Sequence, residues 1–330
     1  MTDTASAPIR WGILATGGIA AAFASDLLLH GHTVTAVASR TAESAERFAR
    51  EHGIGRAHAS YEALYADPEV DVIYVATPHP WHARNAVAAL DAGKHVLVEK
   101  PFALTGAEAA AIADAARRNG RFAMEAMWTR FLPHMRRIAD IVQGGELGRV
   151  TSVVADHTQD LPRDPSHRLV SKELGGGALL DLGIYPISFA NQLLGAPVAV
   201  AAAGVLNSEG TDSQVGTSTV HADGAMASTF SSAISAGATR AAVHGEQGRI
   251  EIDQVWYSPT SFRWFGADGA LREHFTSEVT GRGMQYQAAH VEEQLRAGSL
   301  DSPILPLAES VQIMELLDEV RALIGVDYDA

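Results

Sequence analysis

The stretch Gly12-Ile13-Leu14-Ala15-Thr16-Gly17-Gly18-Ile19-Ala20 decides the fold. An apolar run from Ile9 to Leu14 reads as a strand, and Gly17-Gly18 then opens a helix that continues to about His30. Aligned on the dinucleotide fingerprint, the turn is Ala15-x-Gly17-x-x-Ala20. A glycine at position 17 lets the backbone approach a pyrophosphate seated on the helix N-terminus, and Ala20 permits close helix–strand packing. Ala15 stands where the first glycine is usual, so this turn has to tolerate a methyl group. The expected cofactor contacts here are Ala15, Gly17, Gly18 and Ile19. Taken alone, the pattern fits an ordinary glycine-containing βα turn equally well.

The surrounding sequence repeats the strand–helix alternation. Strands are predicted over Thr33 to Ser39, Val70 to Ala76, His95 to Glu99 and Arg121 to Met124. Helices are predicted over Thr41 to His52, with Thr41 as N-cap, over Trp81 to Ala92 and over Thr105 to Asn119, the last two ended by Gly93 and Gly120. Such alternation implies a parallel sheet with right-handed crossovers, a doubly wound α/β domain over residues 1–125. The character then changes. After a helix over Pro133 to Gln143 come short alternating runs at Val150 to Asp156, Val198 to Val205, Thr239 to His244 and Ser261 to Phe265. Met226, Phe230 and Ile234 share one face of a further strand. A last helix, Pro306 to Ile324, sets Val311, Met314, Leu317 and Val320 near one face. Residues 126–330 therefore read as an α+β domain with a large, mostly antiparallel sheet.

The predicted strand ends carry chemistry. The second closes on Ser39-Arg40-Thr41, roughly 20 residues past the fingerprint, where an NAD site usually places an acid for the ribose hydroxyl. A guanidinium flanked by hydroxyls suits a 2′-phosphate, so NADP is the expected cofactor with NAD as the alternative; a solvated surface arginine would look the same. The third ends in Thr77-Pro78-His79-Pro80-Trp81-His82, a cofactor-facing loop or a plain helix entry. Its two histidines invite a metal reading, but no third ligand is evident and none is expected. The fourth stops on Glu99-Lys100-Pro101, which puts an ammonium at the carboxyl edge where open α/β sheets bind ligands. Farther on, Gly175-Gly176-Gly177 feeds a helical segment bearing Asp181 and Tyr185, four residues apart and so on one face. Both would serve as buried structural residues; beside an ammonium, the phenol becomes a general acid/base.

These residues resemble the Gfo/Idh/MocA (glucose–fructose oxidoreductase, inositol dehydrogenase, rhizopine catabolism) family over essentially the whole chain. The matching pieces are Gly17-x-x-Ala20, Thr77-Pro78 with His82, Glu99-Lys100-Pro101 and Asp181-x-x-x-Tyr185. Met124 to Phe131 and Pro303 to Ser310 look most like the branch of dimeric dihydrodiol dehydrogenase and NADP-dependent D-xylose dehydrogenase. The resemblance implies that Lys100 polarises the substrate oxygen and supports Tyr185, that Tyr185 moves the hydroxyl proton, and that Asp181 positions the substrate or the pair. It adds His79, His82, Glu99, Lys100, Trp128 and Arg130 to the cofactor contacts, with Ser39, Arg40, Thr41, Thr77 and Pro78. It makes Trp128 and Phe131 a wall for the substrate beside Lys100, Asp181 and Tyr185, although aromatic residues there also suit a plain core. His157 and Arg163 are weaker candidates. It also implies a homodimer or homotetramer built through the exposed face of the second-domain sheet.

Bulk properties agree. At 330 residues the chain is long enough for two domains, and 47% hydrophobic with 19% charged residues is globular. A net charge of -14 argues against nucleic acid or an anionic membrane as partner. With no cysteine, disulfides and thiolate chemistry are excluded. Met1 to Pro8 lack an apolar signal core, so a cytoplasmic protein is expected. The reading is an NADP-dependent dehydrogenase transferring hydride at a secondary alcohol or hemiacetal of a sugar or cyclic diol. Its alternatives are a keto-sugar reductase and a non-catalytic NADP-binding sensor or scaffold.

Overall fold

The computed structural model describes residues 7–328; most of the leading segment read as lacking a signal core lies outside them. Two compact units emerge. The first comprises the described residues up to Trp128 together with Thr280–Val311, and the second comprises Thr129–Val279 with the described residues from Gln312 onward. The stretch 280–311, which the sequence reading grouped with the second domain, thus packs with the first.

The first unit runs β1 (Arg10–Leu14), α1 (Gly18–Leu29), β2 (Thr33–Ala38), α2 (Ala42–His52), β3 (Arg56–His58), α3 (Tyr61–Tyr65), β4 (Val72–Val75), α4 (His82–Asp91), β5 (His95–Glu99), α5 (Gly106–Asn119) and β6 (Ala123–Ala126). The sheet order is β3-β2-β1-β4-β5-β6, all parallel. Direction of winding reverses between β1 and β4, which makes that edge a topological switch point. β4 and β6 are buried at every position, as expected of strands covered on both faces. Thr41 caps α2 as predicted, accepting from Ser44 N at 3.3 Å. Gly53 and Gly120 end α2 and α5 in the left-handed conformation. The core centres on Trp11, Phe23 and Tyr74: Trp11 meets Phe23 edge-on at 5.5 Å, and Phe23 stacks on Tyr74 at 3.8 Å. This packing fixes α1, and so the glycine turn, against β1 and β4.

The second unit contains α6 (Pro133–Gln143), β7 (Val150–Thr158), α7 (Ile184–Leu194), β8 (Pro197–Leu206), β9 (Asp212–His221), β10 (Met226–Ser232), β11 (Ala241–Gly245), β12 (Gly248–Ile252), β13 (Phe262–Gly266) and β14 (Leu271–Phe275). Its eight strands are ordered β14-β13-β12-β11-β7-β10-β9-β8, antiparallel except for the β7–β10 pair. Inward positions of β10 are Ala227 and Thr229, while Met226 and Phe230 lie exposed. The apolar face noticed in the sequence is therefore the outer one, and Ile234 falls beyond the strand. Two helices complete the chain: α8 (Gln285–Arg296) in the first unit, and α9 (Leu307–Ile324), which buries Met314, Leu317 and Val320.

The return of 280–311 has a polar cause. Asp26 on α1, only 4% exposed, accepts from the backbone N–H of Arg282 and of Met284 at 3.0 and 2.9 Å. Trp11 Nε1 donates to Glu292 on α8 at 2.9 Å. Among the described residues no helix is long and apolar enough to cross a membrane.

Candidate active-site residues

In the first unit the predicted cofactor residues fall on successive strand ends. Ser39, Arg40 and Thr41 follow β2, the glycine turn follows β1, Thr77 to His82 follow β4, and Lys100 follows β5. All lie at the carboxyl edge, with the glycine turn and Thr77 flanking the switch point.

Ala15 adopts φ 88°, the left-handed region that glycine enters freely and alanine does not. Its N–H donates to Ala38 O at 2.9 Å, which holds the strained turn in place. Gly17 has φ −78° and needs no left-handed freedom. Apart from the adjoining chain itself, no atom of a described residue lies within 4 Å of a Cβ placed at Gly17 or Gly18. Internal packing therefore does not require glycine there; the open space leaves the first turn of α1 approachable by a ligand, so the turn fits a dinucleotide. Ile19 is half-buried and Ala20 fully buried.

Arg40 is exposed and bridges no carboxylate among the described residues. Thr41 Oγ1 is already engaged as the cap of α2, which leaves its O–H to give. Thr77 is buried and its hydroxyl accepts from Asn85 Nδ2 at 3.3 Å. Pro78 leads into a 3₁₀ turn over His79–Trp81, where His79 is 6% exposed. His82 is fully buried, its Nδ1 2.8 Å from Pro101 O and its Nε2 2.6 Å from Thr77 O. Burial, aided by the Lys100 charge, pushes this imidazole down to about 4 against the pull of the two carbonyls. The neutral ring gives its one N–H to one of them and has no nitrogen facing away for a metal.

Glu99 is 4% exposed. Tyr74 donates its O–H to Glu99 Oε1, and Lys100 N donates to Oε2 at 3.1 Å. Burial pushes the carboxyl up, opposed by the Tyr74 bond and the Lys100 charge. Both oxygens of Glu99 thus hold protein groups and fix the strand end from which Lys100 emerges, half-exposed. Trp128 is buried, with Arg282 Cζ 5.9 Å from its ring. Asp26 carries that arginine by its backbone, so the return segment reaches the neighbourhood of Trp128 and Glu99.

In the second unit Arg130 is 1% exposed and donates to Ser188 Oγ at 3.0 Å and Ser188 O at 2.8 Å. The guanidinium braces α7, the helix of Tyr185. Phe131 is buried. The glycine run is a packing device. Gly177 has φ +122°, and a Cβ there would stand 2.3 Å from Asp212 Oδ1. Asp212 Oδ2 accepts from Leu179 N at 2.7 Å, and burial pushes its carboxyl up to about 6. Asp181 lies in a π-helical turn, Leu179–Gly183, that precedes α7. Tyr185 lies four residues on, in the first turn of α7. Arg168 Nη1 stands 3.7 Å from Asp181 Oδ1.

Tyr185 is 7% exposed and belongs to an aromatic cluster. His157 meets it edge-on at 5.0 Å, Tyr257 lies 5.0 Å from it, and His157 and Tyr257 are 4.0 Å apart. Gln159 and Tyr257 had no place in the sequence reading. One signal was available: His157 ends the face of β7 that carries the apolar Val153 and Ala155, and Gln159 follows two residues on, just past the strand, a polar change at its end. Arg163 is exposed and committed to Asp160 Oδ1 and Ile234 O.

Comparison with known proteins follows the same division. Residues 9–127 match the oxidoreductase family with NAD-binding Rossmann fold, and residues 135–251 match the GFO/IDH/MocA C-terminal domain. A trans-1,2-dihydrobenzene-1,2-diol dehydrogenase of Mus musculus is 37% identical, over 97% of this chain and 98% of its own. An aldose-aldose oxidoreductase from Caulobacter crescentus superposes with TM-score 0.86 at 27% identity, covering 97% of this chain and 98% of its own. A 3-ketoreductase from Actinomadura kijaniata, solved with NADP and TDP-benzene, does so with TM-score 0.84 at 28% identity, covering 96% of this chain and 98% of its own.

Proposed function

Because the chain belongs to the GFO/IDH/MocA family of oxidoreductases, we propose that it is an NADP-dependent dehydrogenase acting on a secondary alcohol or hemiacetal carbon of a sugar or cyclic diol. The observation that carries this reading is the alignment of Arg40, the open Gly17 turn, Thr77 and Lys100 along consecutive strand ends at the switch point. When bound, the nicotinamide takes or gives the hydride.

In this reading the N–H groups at the start of α1 hold the pyrophosphate, and Arg40, unbridged by any carboxylate among the described residues, recognises a 2′-phosphate. Lys100 orients and polarises the substrate oxygen. Tyr185 takes the hydroxyl proton as hydride leaves carbon, and returns it in the reverse direction. Asp181 positions the substrate, and Trp128 and Phe131 supply apolar contact. Glu99, His82 and Arg130 support the strand end, the loop after β4 and α7, through the bonds described above.

The same reading includes assembly. Val154 on β7, Val205 on β8, and Met226 and Phe230 on β10 are each more than 40% exposed and share the outer face of the sheet. This apolar outer face is suited to a homodimer or homotetramer. Phe230→Asp is expected to shift the sedimentation profile to monomer; an unchanged profile contradicts this face.

The function is tested by following NADPH absorbance with aldoses, inositols, keto-sugars and cyclic diols in both directions, with NAD run in parallel. Turnover of a sugar or diol with NADP supports the proposal. Nucleotide binding without turnover of any member of the panel refutes it in favour of a sensor.

A further inference from the structure

The cluster around Tyr185 carries polar atoms that the proton-transfer role does not use. His157 Nδ1 lies 3.2 Å from the carbonyl of Leu182. A carbonyl only accepts, so Nδ1 bears the hydrogen and Nε2 holds a lone pair. Gln159 Nε2 stands 2.9 Å from that Nε2 and 3.0 Å from Tyr257 Oη, so one carboxamide donates to both. Its Oε1 takes no hydrogen bond from any described residue. Gln159 and Tyr257 are both half-exposed, whereas His157 is 1% exposed. The array is thus anchored at its buried end and accessible at the other.

A carboxamide passes no proton, so the array cannot relay the proton of Tyr185; it holds hydrogen-bonding groups beside that residue. An apolar ring lying there would desolvate the carboxamide oxygen without giving it a partner, which costs affinity. A ligand with a hydroxyl on each carbon would donate to that oxygen instead.

We propose that Gln159 and Tyr257 are specificity-determining residues that bind substrate hydroxyls next to Tyr185, so that the substrate is a polyhydroxylated aldose in preference to a cyclic diol with an apolar ring. This rests on the assignment of Tyr185 as the acid/base. His157 is a positioning residue: it joins the end of β7 to the π-turn ahead of Tyr185 and orients Gln159.

The test measures kcat/KM with NADP for D-xylose, D-glucose and trans-1,2-dihydrobenzene-1,2-diol in the wild type, Gln159→Leu and Tyr257→Phe. The wild type is expected to prefer at least one aldose to the diol. Gln159→Leu should lower the aldose-to-diol ratio by about 10- to 100-fold, from the loss of one hydrogen bond and the burden of its orphaned partner. Tyr257→Phe, which keeps the ring, should lower it in the same direction, mainly through KM. A wild-type preference for the diol, or a ratio that stays within twofold in both variants, overturns the inference. No turnover of any substrate by the wild type would instead contradict the proposed dehydrogenase function itself.

Discussion

Asp26 is the residue through which the fingerprint helix holds the return segment, and Asp26→Ala should destabilise the first unit by about 3 kcal/mol. Two backbone donors lose a charged acceptor: Arg282 N, 3.1 and 3.0 Å from its two oxygens, and Met284 N at 2.9 Å. Hydrogen bonds to charged groups contribute about 1.5–3 kcal/mol each. Arg282 is exposed and recovers part of its loss from water, whereas Met284 is fully buried and recovers less. For a unit of this size the loss corresponds to a fall in Tm of roughly 6–12 °C. Urea unfolding followed by tryptophan fluorescence gives the free energy, and calorimetry gives the Tm. Asp26→Asn keeps one acceptor oxygen and should lose about half as much. A loss below about 1 kcal/mol in Asp26→Ala, or an equal loss in both variants, refutes the claim that these two bonds fasten residues 280–284.

Three further outcomes are expected. Gly177→Ala should cost about 3 kcal/mol or more in urea unfolding, because the residue is held at φ +122° with Asp212 Oδ1 2.3 Å from the new methyl. Burial pushes the Glu292 carboxyl up, but bonds from His32, Trp11 and Arg296 outweigh it and hold the group below its usual range. A depressed folded pKa gives stability that is present above the unfolded value, about 4.3, and is lost as pH falls through the folded one. The gap in urea midpoint between wild type and Glu292→Gln should therefore be largest above about pH 4.3 and shrink in more acidic buffer. Arg40→Ala should weaken NADP binding by about tenfold or more while changing NAD binding little, as read by calorimetric titration; equal effects on both would remove the 2′-phosphate from the account.

Legibility in the sequence followed how each element is stabilised. The strands β1, β2, β4 and β5 are nearly continuous apolar runs, and their ends were found to within a residue or two. The same clarity placed Arg40, Gly17, Thr77 and Lys100 on one sheet edge. β9 escaped notice because its inward positions are Val215, Thr217, Thr219 and His221, so burial there does not follow hydropathy. Thr217 is satisfied by Thr229 across the strands at 2.6 Å, a pairing visible only once the register is known. α8 was missed for the same reason, since its buried face includes Gln285, Gln287, His290 and Glu292. β3 and α3 are too short to show a period. The π-turn at Leu179–Gly183 was not legible, because residue spacing alone assigns this stretch to an α-helix. Gln159 and Tyr257, far apart in sequence, meet only through the antiparallel sheet.

The central claim is that Lys100 and Tyr185 carry hydride-transfer chemistry on a substrate hydroxyl. The most direct measurement is single-turnover NADPH formation by Lys100→Met and Tyr185→Phe on the best substrate, with NADP affinity measured on the same samples. The account predicts a fall in rate of at least about 100-fold in each variant with NADP affinity retained within a few-fold. Near-normal rates in both variants would contradict it.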